Sequence, residues 1–527
     1  MAIAIDFGTS NTVIAKFDPD TQTTEVIKLP KIAQQTAINP ELIPSLVYVK
    51  DAQNKDLLIG QKVRDNGLDI GNNQRFFKNF KRGIGSNIQG FLPQLDEQNI
   101  TFEQVGEWFL SGILKELSEK PDSLIITVPV DSFESYRNWL TEVCQKWEIE
   151  QVRIIDEPTA AALGYETQDD DFILVVDFGG GTIDFSLVQL ELGKSNQAQG
   201  FILKWGEKVL GKSSAQKNKV AKVIAKAGMN LGGADLDNWL MDYFHKEKDI
   251  PKSSLISRLA ERIKIKLSEE ETAEEVYFND RTLETYELSL DRKSFEQILN
   301  ENQFFEQLDN LINNLLQQAQ RNGVVRENID KVLLVGGGSQ IPALQTWLQQ
   351  YFNPEKIKCD RPFSAIAMGA LKIEQGLQVK DFLYHSYGIR YWNRRKSRHD
   401  WHTIIPSGQP YPMGNPIPLY LGASVENQPS IELIIGELGQ ETTSTEVYFD
   451  GDRIVTKQVS NGNTTVQPLN DKEGGRNIAP LNPVGTPGSD RIKVLFIVDE
   501  QCTLKITVED LLTNETLLDN CAVAQLS

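Results

Sequence analysis

The stretch VVDFGGGTID, residues 175–184, sets an apolar run ending in Asp177, three consecutive glycines and the start of a second apolar run within ten positions. Two apolar runs joined by a glycine tip predict a β-hairpin. Glycines at the tip allow φ > 0 and can turn successive N–H groups toward one anion, with the Thr182 hydroxyl as a further donor. Gly179, Gly180, Gly181 and Thr182 are therefore candidate phosphate contacts. Asp177, at the strand end, is a candidate to hold a water of Mg²⁺. An ordinary tight hairpin satisfies the same local pattern, so the stretch alone does not decide between the two.

The opening residues, AIAIDFGTSNTVIA at 2–15, repeat the plan: an apolar strand, Asp6, a Phe-Gly-Thr-Ser turn and a second strand. Asp6 and Asp177 read as equivalents in two related halves, because internal repetition marks a duplicated unit. Gly8, Thr9 and Ser10 then oppose the second glycine loop, and two such loops can grip one polyphosphate. A third tip, Gly336, Gly337 and Gly338, follows the run KVLLV and precedes a helix expected to open at Ser339 and Pro342. Three glycine loops, each after a strand, point to a nucleotide cleft.

Together with DEPTAAALGY at residues 156–165, these loops resemble the phosphate, connecting and adenosine motifs of the 70-kDa heat-shock (DnaK-type) chaperones, within the actin and sugar-kinase superfamily. The likeness is strongest over residues 1–375 and weaker from about 383 onward. It implies an α/β actin-like ATPase domain of two related lobes, followed by an all-β peptide-binding sandwich. The expected limits are 1–378 for the first domain, 379–384 for the linker and 385–527 for the sandwich. The helical lid that follows the sandwich in the family is not expected in this chain.

The resemblance also assigns roles. Lys78, in FFKNFKRGIG at 76–85, matches the lysine at the γ-phosphate, with Lys81 as its rival. Asp6, Glu157 and Asp177 match carboxylates that hold Mg²⁺ through water, and Glu157 equally suits the favourable charge position at a helix start. Gly232 and Gly233 match a glycine pair at a helix entry. Glu261, Lys264 and Ser268, at i, i+3 and i+7 of one helix, match the adenosine-contacting face, with Gln340 opposite. The family commonly has Arg at the position of Gln340 and Asp at that of Phe363. Pro129 and Arg137 match residues that relay nucleotide state between domains; a strand stop and a surface arginine are their plain alternatives. The implied activity is ATP hydrolysis coupled to binding of unfolded or extended apolar peptide segments. A J-domain cochaperone and a nucleotide exchange factor are implied partners.

A different machine competes at GEKVLGKS, residues 206–213, which satisfies the P-loop pattern and precedes an amphipathic stretch with Val220, Val223, Ile224 and Ala227. That reading requires the stretch to be a helix on a parallel sheet. Two further alternatives are a nucleotide-gated regulator with little turnover and an actin-fold small-molecule kinase.

The balance of 54 Lys plus Arg against 73 Asp plus Glu, a net charge of −19, disfavours nucleic acid and anionic membranes as partners. Cys144, Cys359, Cys502 and Cys521 form no CxxC or metal spacing and fit a reducing compartment. No apolar run approaches the ~20 residues needed to span a bilayer, and no secretory leader is expected, so a cytoplasmic site is expected.

Locally, TFEQ at 101–104 predicts a capping box, and LIITVP at 124–129 a buried strand. Beyond residue 383 the chain turns to short strands, glycines and prolines. NQPSIELIIGE at 427–437 reads as one strand, FIVDEQCTLKITV at 496–508 as a hairpin, and 461–490 as a mobile loop. The basic run 394–398 with His399 and His402 reads as a charged loop rather than a zinc site.

Overall fold

The computed structural model describes residues 1–18, 21, 23–35, 39–71, 73–85, 88–89, 93–129, 133–144, 146–147, 149, 151–165, 171–192, 202–205, 219–279, 283–372, 381–382, 386–393, 398–406, 409–438, 443–450, 453–460, 466–470, 477–499 and 503–526. The chain divides into two compact units. One comprises Met1–Ser195, Leu203–Gln378 and Thr445–Gln458; the other comprises Asn196–Ile202, Val379–Ser444 and Val459–Ser527.

The first unit contains the same sheet plan twice. β1 (Ala2–Phe7) runs antiparallel to β2 (Asn11–Asp18) and parallel to β3 (Ser123–Val128), which in turn pairs in parallel with β4 (Gln151–Asp156). All six residues of β3 are buried, the expected state of a parallel strand covered on both faces. In the second sheet β5 (Phe172–Phe178) runs antiparallel to β6 (Ile183–Leu192), β6 antiparallel to β7 (Lys219–Met229), and β5 parallel to β8 (Ile329–Val335). Each hairpin is thus followed, on its inner side, by a parallel strand from later in the chain. Asp6 and Asp177 occupy matching positions: each is the penultimate residue of its strand, paired across the hairpin with Val13 and Asp184 and across the parallel edge with Thr127 and Val335.

This topology overturns the P-loop alternative. Residues 206–218 lie outside the described residues, but the stretch that follows is a strand antiparallel to β6, not a helix on a parallel sheet. Its apolar residues are β-branched or small, which suits a pleated surface and explains how a helix-like spacing formed a strand.

Helices carry the remaining site elements. The helix Phe102–Glu116 opens with the expected capping box, Thr101 with Gln104. α1 (Phe133–Cys144) buries Tyr136, Trp139 and Leu140. α2 (Glu157–Gly164) has Asp156 as N-cap, accepting from Thr159 N at 2.8 Å, and Pro158 in its first turn. α3 (Gly233–Lys248) and α4 (Ser254–Glu269) pack together, and α4 is capped by Ser253. The helix Pro342–Leu348 is capped by Ile341 rather than opened by Ser339, whose hydroxyl instead donates to Gly336 O at 2.6 Å inside the preceding 3-10 turn.

The second unit is built from strands. β9 (Ser386–Asn393) pairs with β10 (Arg398–Ile405), and β11 (Ile417–Gly422), β15 (Asp490–Val498), β16 (Thr503–Asp510) and β17 (Thr516–Gln525) form an antiparallel sheet in that order, so the expected hairpin at 496–508 is present. The stretch 427–437 is not one strand. It breaks at Ile434 into β12 (Gln428–Leu433), paired with β14 (Asn477–Gly485), and β13 (Ile435–Leu438), paired with β9. Tyr387, Ile389, Leu433, Ile435, Ile492 and Phe496 from these sheets share one buried cluster. The expected loop 461–490 is corrected too: 461–465 and 471–476 lie outside the described residues, but 466–468 and β14 are strands, with Ala479 and Leu481 buried. Asn and Pro around these two residues mask an apolar strand in the composition. Of the expected linker, 379–380 and 383–384 lie outside the described residues, and Asp381–Phe382 pairs with Pro410–Tyr411. His399 packs edge-on against Trp392, and residues 394–397 lie outside the described residues.

Candidate nucleotide site

The three glycine loops of the first unit meet. Gly8 turns so tightly that a Cβ there would lie 2.1 Å from Asn11 O. Ser45, between the strands Ile43–Pro44 and Leu46–Asp51, buttresses this loop: its hydroxyl donates to Gly8 O at 2.7 Å and its N–H to Ser10 O at 2.8 Å. Across from it, a Cβ on Gly180 would stand 2.0 Å from Ser10 Oγ, and one on Gly181 would stand 2.6 Å from Thr9 Oγ1.

The need for glycine at 180 and 181 therefore comes from close approach and not from φ > 0, which neither adopts, while a Cβ on Gly179 would meet nothing nearer than 3.7 Å. Gly336 is the loop glycine that does need it: its φ is 79°, and a Cβ would fall 2.4 Å from Phe178 O and 2.7 Å from Asp177 Oδ1. Gly338 faces the Phe178 ring, and Phe363 lies against Gly337.

The entry of α3 holds the second loop from behind. Gly233 N donates to Gly179 O at 3.0 Å and Ala234 N to Gly180 O at 2.9 Å, and a Cβ on Gly232 would collide with Gly181 N at 2.5 Å. Arg82, a residue without a sequence assignment, donates to Gly181 O at 2.5 Å and grips the Asp235 carboxylate. Its signal was the basic cluster 76–85, which spacing alone could not resolve.

Beside the loops lies a buried carboxylate cluster. Thr127 Oγ1 donates to Asp6 Oδ1 at 3.0 Å. Burial first, then the Glu157 charge, pushes the Asp6 carboxyl up to about 7, against the pull of Lys81 and Thr127. Asp177 is raised well above the carboxylate range by burial, and then by Glu157, Asp184 and Asp6, with Lys81 opposing. Glu157 begins α2, and Lys81 donates to its Oε1 at 3.1 Å.

Lys78 is the lysine expected here, with Lys81 as its rival, and it is Lys81 that the structure brings into the cluster. Lys78 Nζ donates to Ser257 Oγ on α4 at 3.1 Å, whereas Lys81 is buried among Asp6, Glu157 and Asp177. Lys78 ends a short strand, and the 3-10 turn Phe80–Gly83 that follows carries Lys81 inward. Among the described residues no set of three His, Cys, Asp or Glu side chains stands close enough to ligate a metal directly.

On α4, Lys264 donates to Gly233 O and reaches Asp237 Oδ1, both at 2.7 Å, so it ties the helix to the loop. Glu261 pairs with Arg64 at 3.0 Å, and the Ser268 hydroxyl donates back to Lys264 O within the helix. Gln340 ends the 3-10 turn Gly337–Gln340, half-buried. Pro129 lines a small pocket with Glu157, Pro158, Asp177 and Asp184; the side chain of Arg137 lies outside the described residues.

The Hsp70 protein family model matches residues 94–198 and 216–408, more than half of the chain. The chain belongs to the Hsp70 family. Among curated relatives it is similar to chaperone protein DnaK of Thermosipho melanesiensis, 29% identical over 410 residues that cover 72% of this chain and 61% of the relative. It is 28% identical to chaperone protein DnaK of Thermosipho africanus over the same extent. The chain thus spans 61% of the length of the Hsp70-family relatives it matches.

Proposed function

We propose that the chain is an ATP-dependent molecular chaperone whose first unit, an actin-type nucleotide domain, hydrolyses ATP and whose second unit, a β-sandwich, binds extended apolar segments of unfolded proteins. The observation that carries this reading is the Lys81–Glu157 pair set among Asp6 and Asp177 beside converging glycine loops. Phosphoryl transfer to water asks a protein mainly for positioning and charge neutralisation.

The loops fit polyphosphate, because Gly180 and Gly181, without side chains, bring their backbone close to the Ser10 and Thr9 hydroxyls. Thr9, Gly180, Gly181 and Thr182 would cradle phosphates, and Lys81 would face the γ-phosphate and the attacking water. Asp6, Glu157 and Asp177 would hold Mg²⁺ through its waters. Burial and then the neighbouring carboxylate charges, which raise the Asp6 and Asp177 carboxyls, suit a site meant to receive a cation. Mg²⁺ supplies charge neutralisation between the phosphates. Glu261, Lys264, Ser268, the turn Gly336 to Gly338 and Gln340 would border the adenosine.

In the second unit β11 is the edge of its sheet, paired among the described strands with β15, and its residues alternate between half-buried and exposed. An open edge of this kind accepts an extended peptide as an added strand. Pro129 and Arg137 would relay nucleotide state; a coupling of ~1–3 kcal/mol is typical of such relays. A J-domain cochaperone and an exchange factor are the partners proposed. No described helix is long and apolar enough to cross a membrane, and we assign the chain to the cytoplasm. A steady-state ATPase assay with and without a panel of extended apolar peptides tests the whole reading. Turnover that rises with peptide supports it, and no turnover in either condition overturns it.

A further inference from the structure

Lys81 is held from its own backbone side by a residue no motif pointed to. Tyr136, buried in α1, donates its hydroxyl to Lys81 O at 2.5 Å. The same ring lies under the ammonium, with Lys81 Nζ 5.7 Å from its centroid and 5.4 Å from that of Phe7. Trp139, one turn on in α1, packs edge-on to Tyr136 at 5.8 Å and against Phe7 at 6.2 Å, which fixes both rings. Trp139 is in turn tied by its Nε1–H to Glu103 O at 3.1 Å.

Two anchors therefore act on one lysine. The hydroxyl fixes the main chain of the 3-10 turn Phe80–Gly83, and the two ring faces attract the cation at the other end of the side chain. Four side-chain torsions separate these ends, so a lysine held at only one of them would sample many rotamers. Held at both, its ammonium donates to Glu157 Oε1 at 3.1 Å. The phenol stays neutral throughout, since burial and the nearby Glu157 charge push its ionisation well above the usual tyrosine value.

We propose that Tyr136 is a positioning residue for the Lys81–Glu157 pair, and that it contributes to ATP turnover by fixing where the Lys81 ammonium stands rather than by touching the nucleotide. The proposal rests on the ATPase reading above.

The test compares Tyr136→Leu, which removes the hydroxyl and one of the two ring faces, with Tyr136→Phe, which keeps the ring and loses the hydroxyl, each in the full chain and each in a Lys81→Ala background. Single-turnover ATP hydrolysis and ADP affinity are the readouts. The expected result is a fall in rate of about tenfold for Tyr136→Leu and about threefold for Tyr136→Phe, with ADP affinity within twofold of the unaltered chain. In the Lys81→Ala background neither substitution lowers the rate further. Equal losses in both backgrounds, or a rate unchanged by Tyr136→Leu, would overturn the proposal. If Tyr136→Leu does not fold, Tyr136→Phe in the two backgrounds decides alone. Should the unaltered chain bind nucleotide without hydrolysing it, the ATPase reading falls and this proposal falls with it; hydrolysis with additive losses sinks this proposal only.

Discussion

Lys81 Nζ lies 3.1 Å from Glu157 Oε1 although 76 positions separate the two residues, and neither side chain is more than one-tenth exposed. A buried pair of this kind gains little net stability, because the desolvation of both charges offsets their attraction. Its place among Asp6 and Asp177 gives it a use that stability does not.

The first prediction separates the two lysines. Lys81→Ala should lower ATP turnover by more than tenfold, while Lys78→Ala, which loses a bond to Ser257, should stay within about threefold. Losing Lys81 also leaves Glu157 buried without its partner, at a cost of about 3–5 kcal/mol, so turnover is read per folded molecule, with circular dichroism as the control. A larger loss for Lys78→Ala would return the role to that residue.

The contrast between the lysines shows how far the sequence could be read. The paired Asp-Phe-Gly tips were legible because strand alternation and glycine runs are local, and the duplicated sheet order bears out the reading of two related halves. The choice between Lys78 and Lys81 was not legible, since it turns on one 3-10 turn that sends the second lysine inward. Arg82 and Tyr136 were also hidden: their partners are backbone carbonyls at 181 and 81, which leave no trace in residue identity. In the second unit the break at Ile434 leaves no mark in the sequence, because the apolar run Leu433, Ile434 and Ile435 continues across it.

A second prediction concerns the contact between the loops. Gly180→Ala places a methyl 2.0 Å from Ser10 Oγ, so the loops must separate and ADP affinity should fall at least tenfold. Ser10→Gly removes the nearest atoms of that clash, and the double variant should recover part of the loss. Calorimetry of the two single variants and the double one checks this; no recovery would mean that the glycine serves something other than the approach to Ser10.

The third prediction is a pH dependence at Asp237. Burial, opposed by Lys264, raises this carboxyl to about 6 in the fold, above its unfolded value of 3.8. A raised acid binds its proton more tightly when folded, so its contribution to stability is greatest below about pH 4 and declines as pH rises to about 6. Asp237→Asn should therefore lose less stability than the unaltered chain between pH 4 and 7. Parallel melting-temperature curves for the two proteins would refute it.

The fourth prediction addresses Gln340, which closes the 3-10 turn where the family commonly places an arginine. Phe363, another departure, lies against Gly337 of the same turn, so this edge of the site carries an amide and a ring where the family offers a guanidinium and a carboxylate. A guanidinium over an aromatic base contributes roughly 0.5–2 kcal/mol, the upper end when it is desolvated. Gln340→Arg should then tighten ADP by up to about 2 kcal/mol, near thirtyfold. The affinity for inorganic tripolyphosphate, which has no base, should not change. Calorimetry with both ligands separates the outcomes: a gain for ADP alone places Gln340 beside the base. An equal gain for both would make the new charge a phosphate contact, and no gain for either would mean that the base is held elsewhere.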